Sequence, residues 1–171
     1  MEIIKTDLER VLLIKQEIFK DIRGSFMELY RYEKFYKVMG LKFVEDDISV
    51  SKQGVLRGIH SDNMAWKLLT CLYGAIHLVI VDCKDNSEDF GKWESFHLSG
   101  DSGIQILVPP KYGIVHLVLS NIAILFYKQT EFYNPSRQTT YRYDDARFGI
   151  EWPIKNPILS ERDKCGIQSK S

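Results

Sequence analysis

The chain has little with which to brace itself covalently. Its three cysteines, Cys71, Cys83 and Cys165, are an odd number without a Cys-x-x-Cys spacing, which argues against a disulfide framework and against a zinc knuckle. A reducing cytoplasm is the simpler home. An excess of either charge is also missing, since Lys plus Arg and Asp plus Glu both total 23 and the formal net charge is zero. No face is marked as a nucleic-acid or membrane footprint, so any anion must be caught by a few local residues. The first twenty residues carry a charge every few positions, which excludes a signal peptide or a membrane span there. Internal repeats and low-complexity segments are absent.

What is present is apolar sequence cut into short pieces. With 171 residues, 44% of them hydrophobic, the chain is long enough for one domain with a substantial core, expected over 1–163 with a frayed tail over 164–171. Met1 to Lys5 and Val11 to Lys15 read as strands, Asp21 to Ser25 as a turn and Phe26 to Arg31 as a strand. Glu33 to Met39 has helical character and Gly40 is placed to end it. From Phe43 the pattern is strand-like throughout: 43–51, 55–60, 67–73, 75–82, 93–98, 105–108, 114–120 and 122–132 are apolar or alternating runs bounded by Gly, Pro, Asn, Asp and Ser. Strands at this spacing predict an all-β sandwich or barrel with few short helices. After Asn134-Pro135 the prolines predict irregular chain whose aromatic residues pack down on the sandwich.

The most informative stretch is Gly54-Val-Leu-Arg57-Gly58-Ile-His60. It places a guanidinium, a flexible glycine and an imidazole within four positions. Arg57 is suited to holding phosphate and His60 to moving a proton. Lys67 opens the next run, and a hairpin over 61–66 would set it beside His60. The expectation is a small positive site for an anionic substrate with a proton to lose. One tension is built in: residues three apart on a regular strand point to opposite faces, so Arg57 and His60 share a pocket only if Gly58 introduces a bulge or the strand ends there.

Several motifs in order resemble one family. Asp21-Ile-Arg23-Gly24 with Phe26 and Glu28, the stretch 54–60, Lys67-Leu-Leu-Thr-Cys, Val81-Asp82, Phe90-Gly-Lys-Trp93, Val108-Pro-Pro, Leu119-Ser120, Tyr127-Lys128, Tyr133-Asn-Pro135, Gly149-Ile-Glu-Trp-Pro153 and Leu159-Ser-Glu-Arg-Asp163 are similar to those of dTDP-4-dehydrorhamnose 3,5-epimerases over about residues 15–165. The resemblance implies a cupin-like jelly roll, usually a homodimer, that works without metal or cofactor on a nucleotide-linked 4-keto sugar. The C4 ketone acidifies the hydrogens on C3 and C5, so a base can remove one and an acid on the other face can return it. By the same resemblance His60 is the base, Asp163 its carboxylate partner, Lys67 the cation at the enolate oxygen and Tyr133 the opposite-face acid. Arg23 and Arg57 correspond to phosphate contacts, Phe26 and Glu28 to residues near the nucleotide base.

Departures from the family pattern fall on the nucleotide and sugar contacts. Glu45 and Asp47 stand where Gln and Asn are usual, Ile114 stands where a phosphate-binding histidine is usual with His116 two positions on, His77 stands for an aspartate and Gln138 for a glutamate. They point to an altered substrate, such as a GDP-linked sugar or a heptose, or to inversion at C3 alone. Other readings stay open. Taken singly, His60 is a core histidine, Lys67 a solvated lysine, Asp163 part of a polar turn, Arg23 a turn arginine and Glu28 an outward strand residue. Tyr127, Tyr141 and Tyr143 rival Tyr133. His77 and His116 fit core packing or substrate contact, and His97 a structural or exposed role. The whole chain also fits a cupin that binds a nucleotide sugar without turning it over. A metal-dependent cupin oxygenase is poorly supported, because Gly113-Ile-Val-His116 supplies only half of such a motif.

Overall fold

The structure, a computed structural model, describes residues 1–166. The short apolar runs pair as antiparallel strands: Glu2–Lys5 (β1), Leu12–Lys15 (β2), Ile18–Asp21 (β3) and Gly24–Met27 (β4) precede the helix Tyr32–Met39 (α1). Glu45–Lys52 (β5), Leu56–Asp62 (β6), Lys67–Tyr73 (β7), Ala75–Asp82 (β8), Trp93–Ser99 (β9), Ile104–Val108 (β10), Tyr112–Val118 (β11) and Ile122–Gln129 (β12) follow. A 3-10 turn at Pro135–Arg137, the strand Gln138–Thr140 (β13) and the helix Glu161–Cys165 (α2) complete the described chain. No helix among the described residues is long and apolar enough to cross a membrane.

Two sheets face each other, one ordered β1-β2-β10-β7-β12-β5 and the other β13-β6-β11-β8-β9, with β3 and β4 as a separate hairpin. This is the expected all-β sandwich of jelly-roll, cupin-like type. Alternation along the strands assigns each residue to a layer. Ile76, Leu78, Ile80 and Leu98 meet Leu69, Cys71, Ile106 and Leu125 between the sheets. Leu56, Ile59, Val79, Val81, Val115 and Leu117 point the other way, under Phe148, Trp152 and Leu159. The proline-containing C-terminal chain therefore does pack down on the sandwich. On the far side of the six-stranded sheet, Phe35 of α1 packs with Ile14, Leu68 and Leu107, and Gly40 closes the helix in a left-handed conformation with its N–H donating to Tyr36 O.

Four expectations need correction. Lys67 does not return beside His60 in a hairpin, because β6 and β7 lie in different sheets. The carboxylate of Asp62 accepts the N–H groups of Met64 and Ala65, each at 2.8 Å, and this turn steers the chain across the sandwich. The strand expected over Phe26 to Arg31 ends at Met27, since Glu28 ion-pairs with Arg31 and Lys34 at the start of α1. The chain after Pro135 is not wholly irregular: β13 adds to the edge of β6. The tail expected from Lys164 is helical through Cys165, capped by Ser160 Oγ on the Asp163 N–H; residues 167–171 lie outside the described residues.

Candidate active site

The tension over Arg57 and His60 is resolved within β6. In its pairing with β11, Ile114 is opposite His60 and His116 is opposite Arg57, so three steps on one strand match two on the other. The extra residue is a bulge, and it restores Arg57 and His60 to one face while Leu56 and Ile59 keep the other. Gly58 makes this possible twice over. Its φ is +125°, and a Cβ there would lie 2.5 Å from Ile114 O and 2.7 Å from Val115 Cα, so only glycine fits.

Arg57, His60, Ile114, His116 and Gln138 form one wall of a cavity of about 260 Å³, and Ser49, Lys67, Leu69, Leu125 and Tyr127 form the other, with Tyr133 and Arg162 also lining it. The two walls belong to the two sheets. A larger cavity of about 570 Å³ lies beside the β1–β2 turn and is lined by Leu8, Val38, Met39 and Trp66 among others. It holds neither histidine nor tyrosine, whereas the smaller cavity is lined by two histidines and two tyrosines.

Within it, His60 Nε2 and Asp163 Oδ1 are 2.6 Å apart. Asp163 is only 3% exposed and its other oxygen accepts from Ser160 Oγ at 2.8 Å. Burial pushes its pKa up, but the hydrogen bond and charge of His60, with Ser160 and Arg162, outweigh it and hold the carboxyl below its ordinary range. Asp163 therefore remains an anion behind the imidazole, and Nδ1 is the nitrogen left to accept a proton. Lys67 is held from the opposite sheet. Burial lowers its pKa, while the carboxylates of Asp62 and Asp47 and, less strongly, Glu45 support its charge against Arg162.

The expected tyrosine and its rivals stand in different surroundings. Burial, with Asp47 and Glu45 nearby, pushes the Tyr127 hydroxyl up to about 12. Tyr141 packs edge-on to Phe148 in the layer outside the five-stranded sheet, and Tyr143 joins the same layer. Tyr133 lines the cavity and is 55% exposed. Glu45 and Asp47 stand at the same end: Glu45 accepts from Gln129 Nε2 and from the Tyr133 N–H, and Gln129 Nε2 also reaches Asp47 at 3.3 Å. The Asp47 carboxyl is raised by burial and by Glu45.

His116 is buried in the wall, where burial and then Arg57 and His60 push its pKa down to about 4. His77 lies elsewhere, edge-on to Trp152 at 6.0 Å. Arg162, which sequence reasoning passed over, reaches the cavity with its Nε on Thr140 Oγ1 at 2.8 Å; the signal available was its position beside Asp163. Arg23, Phe26 and Glu28 are not in the cavity of their own chain. Arg23 pairs with Asp21, Glu28 with α1 residues, and Phe26 is 70% exposed on the β3–β4 hairpin. Among the described residues, no three or more His, Cys, Asp or Glu are grouped to hold a metal ion.

A sequence profile described as dTDP-4-dehydrorhamnose 3,5-epimerase matches residues 5–170. The chain belongs to the dTDP-4-dehydrorhamnose 3,5-epimerase family. It is accordingly an isomerase of the epimerase kind. The enzyme of that name from Escherichia coli (strain K12) is 37% identical over 170 residues, covering 96% of this chain and 92% of its own. Among solved structures, the epimerase from Elizabethkingia anophelis superimposes with a TM-score of 0.87 at 38% identity, covering 96% of this chain and 94% of its own. A dTDP-6-deoxy-D-glucose-3,5-epimerase from Legionella pneumophila, solved in complex with dTDP-4-keto-L-rhamnose, gives a TM-score of 0.88 at 33% identity, with coverage of 95% and 89%. The bulged β6 and the His60–Asp163 pair thus sit in an epimerase chain aligned along nearly its whole length.

Proposed function

We propose that the epimerase inverts C3, and C5 where the pocket allows, of a dTDP-linked 4-keto-6-deoxy sugar. His60 Nδ1 removes the proton next to the ketone, breaking a C–H bond whose electrons move into the enolate. Asp163 stabilises the imidazolium that forms. The Lys67 ammonium faces the enolate oxygen, where a fixed cation in a partly dry cavity lowers the barrier most. Tyr133 then delivers its phenolic proton to the opposite face of the same carbon, and solvent resets both residues. The observation that carries this reading is the His60–Asp163 pair at 2.6 Å in a cavity that Lys67, from the opposite sheet, and Tyr133 also line. A base and an acid on opposite sides of a bound ring are what inversion requires.

Arg57 is assigned to the diphosphate, its Nε braced by Ser51 Oγ at 3.0 Å. Arg23, Phe26 and Glu28 are assigned to the nucleotide of a partner protomer. Their hairpin stands apart from both sheets and exposes Phe19, Ile22 and Phe26, an apolar tip suited to a homodimer interface. A second reading is favoured by the acid end of the cavity. Asp47 puts an acceptor where a neutral contact is usual, which suits a donor-rich substrate such as a GDP-linked sugar or a heptose, while Ile114 on the other wall takes away an imidazole.

The test is incubation with dTDP- and GDP-linked 4-keto sugars in deuterated water, following the C3 and C5 positions. Deuterium with inversion supports the epimerase, and the faster nucleotide decides between the two substrates. Binding without exchange on either would replace the enzyme with a sensor.

A further inference from the structure

Tyr133 sits in a stretch that no strand holds. It follows the end of β12 at Gln129 and precedes the 3-10 turn at Pro135–Arg137, and both Phe132 and Tyr133 are largely exposed. An acid on such a segment needs an anchor, because proton delivery depends on distances held within a few tenths of an ångström. Glu45 supplies one. It is the first residue of β5, directly opposite Gln129 in the β5–β12 register. One carboxylate oxygen takes the Gln129 amide, and the other accepts the Tyr133 N–H at 3.0 Å. The residue therefore ties the end of the β12 strand to the backbone of the acid.

We infer that Glu45 is a positioning residue that holds Tyr133 over the face of the substrate opposite His60. The inference rests on the epimerase reading above and adds to it a role for a side chain that otherwise counts only as a nucleotide contact. The chemistry of the link explains why a carboxylate is needed. Glu45 receives two donors from two directions, which an ionised carboxylate with two oxygens satisfies. A glutamine has one oxygen and one NH₂, so one of the two N–H groups would face a donor. Glu45 is bracketed by Asp47 and Gln129 on neighbouring positions of the sheet, with Lys67 electrostatically coupled to both carboxylates, and these groups all remain when Glu45 is changed.

The consequence is specific to proton return. If Tyr133 drifts, His60 still removes the proton and still gives back a solvent-exchanged one from the same face. The sugar then gains deuterium without changing configuration. The experiment measures, for the full chain in deuterated water, deuterium incorporated into unepimerised substrate relative to inverted product. Glu45→Ala and the size-matched Glu45→Gln are compared with Tyr133→Phe, and nucleoside diphosphate affinity is measured for each. The expected result is a ratio raised about tenfold in Glu45→Ala, the scale of one charge-assisted hydrogen bond, and a smaller rise in Glu45→Gln. In the Tyr133→Phe background, Glu45→Ala adds nothing further. Exchange and inversion that fall together, leaving the ratio unchanged in both Glu45 variants, would overturn the inference while leaving the epimerase intact. Absence of any exchange by the unsubstituted chain would overturn the epimerase reading and this role with it.

Discussion

At His60 the partition of the two ring nitrogens decides what the residue can do. Nε2 is occupied by Asp163, which leaves Nδ1 for the proposed proton abstraction, and the carboxylate serves the imidazole only while it is ionised. Asp163→Asn keeps the shape and removes the charge; kcat is expected to fall about a hundredfold or more, with KM little changed, in steady-state kinetics. His60→Asn removes the base outright and should abolish deuterium exchange as well as inversion. His116 governs a different observable. Its folded pKa, lowered to about 4, lies below the ordinary histidine value, so the unfolded chain binds the extra proton first as the pH falls. The stability this neutral histidine allows is fully present above about pH 6.5 and is lost on descent towards about pH 4, by on the order of 1 kcal/mol per pH unit. Denaturant melts at stepped pH should show that slope, and His116→Asn should flatten it.

Among the elements, β6 does the most with the least. Seven residues carry Arg57 and His60, the proposed phosphate contact and base, on one face and two core side chains on the other, which needs the one-residue bulge at Gly58. Gly58→Ala forces a Cβ onto Ile114 O at 2.5 Å in a left-handed backbone. A loss of about 3 kcal/mol in chemical melts is expected, with activity lost even where the chain still folds. The need for a bulge was legible in the sequence, because three-residue spacing conflicts with a two-residue period. The sheet to which each strand belongs was not. The six residues between His60 and Lys67 suit a hairpin and a crossing equally well, and alternation marks a strand without naming its neighbour. Likewise α2 is five residues long, too short to show a helical period, although Ser160 and Asp163 form its cap. The replacement at Glu45 was visible as a departure, but its two donors come from residues 84 and 88 positions away. No local pattern reports such a contact.

For the whole molecule, the hairpin of β3 and β4 sets the test. If it completes a partner's pocket, a His60→Asn protomer can lend its Arg23 to an Arg23→Ala protomer that still has its base. Mixing the two inactive variants should restore about a quarter of the native activity, the share of intact sites in random dimers. A mixture no more active than the sum of its parts would confine the site to a single chain. The division of the cavity between the sheets reaches further. In the proposed mechanism the base His60 and the enolate cation Lys67 stand on different sheets, and at the cavity those sheets meet through side chains, so the catalytic distance follows the spacing of the two layers. Chemistry here gauges interlayer contact: anything that loosens the grip between the layers, such as pressure or a truncated Leu69 or Leu125, switches off proton transfer while every strand is still paired.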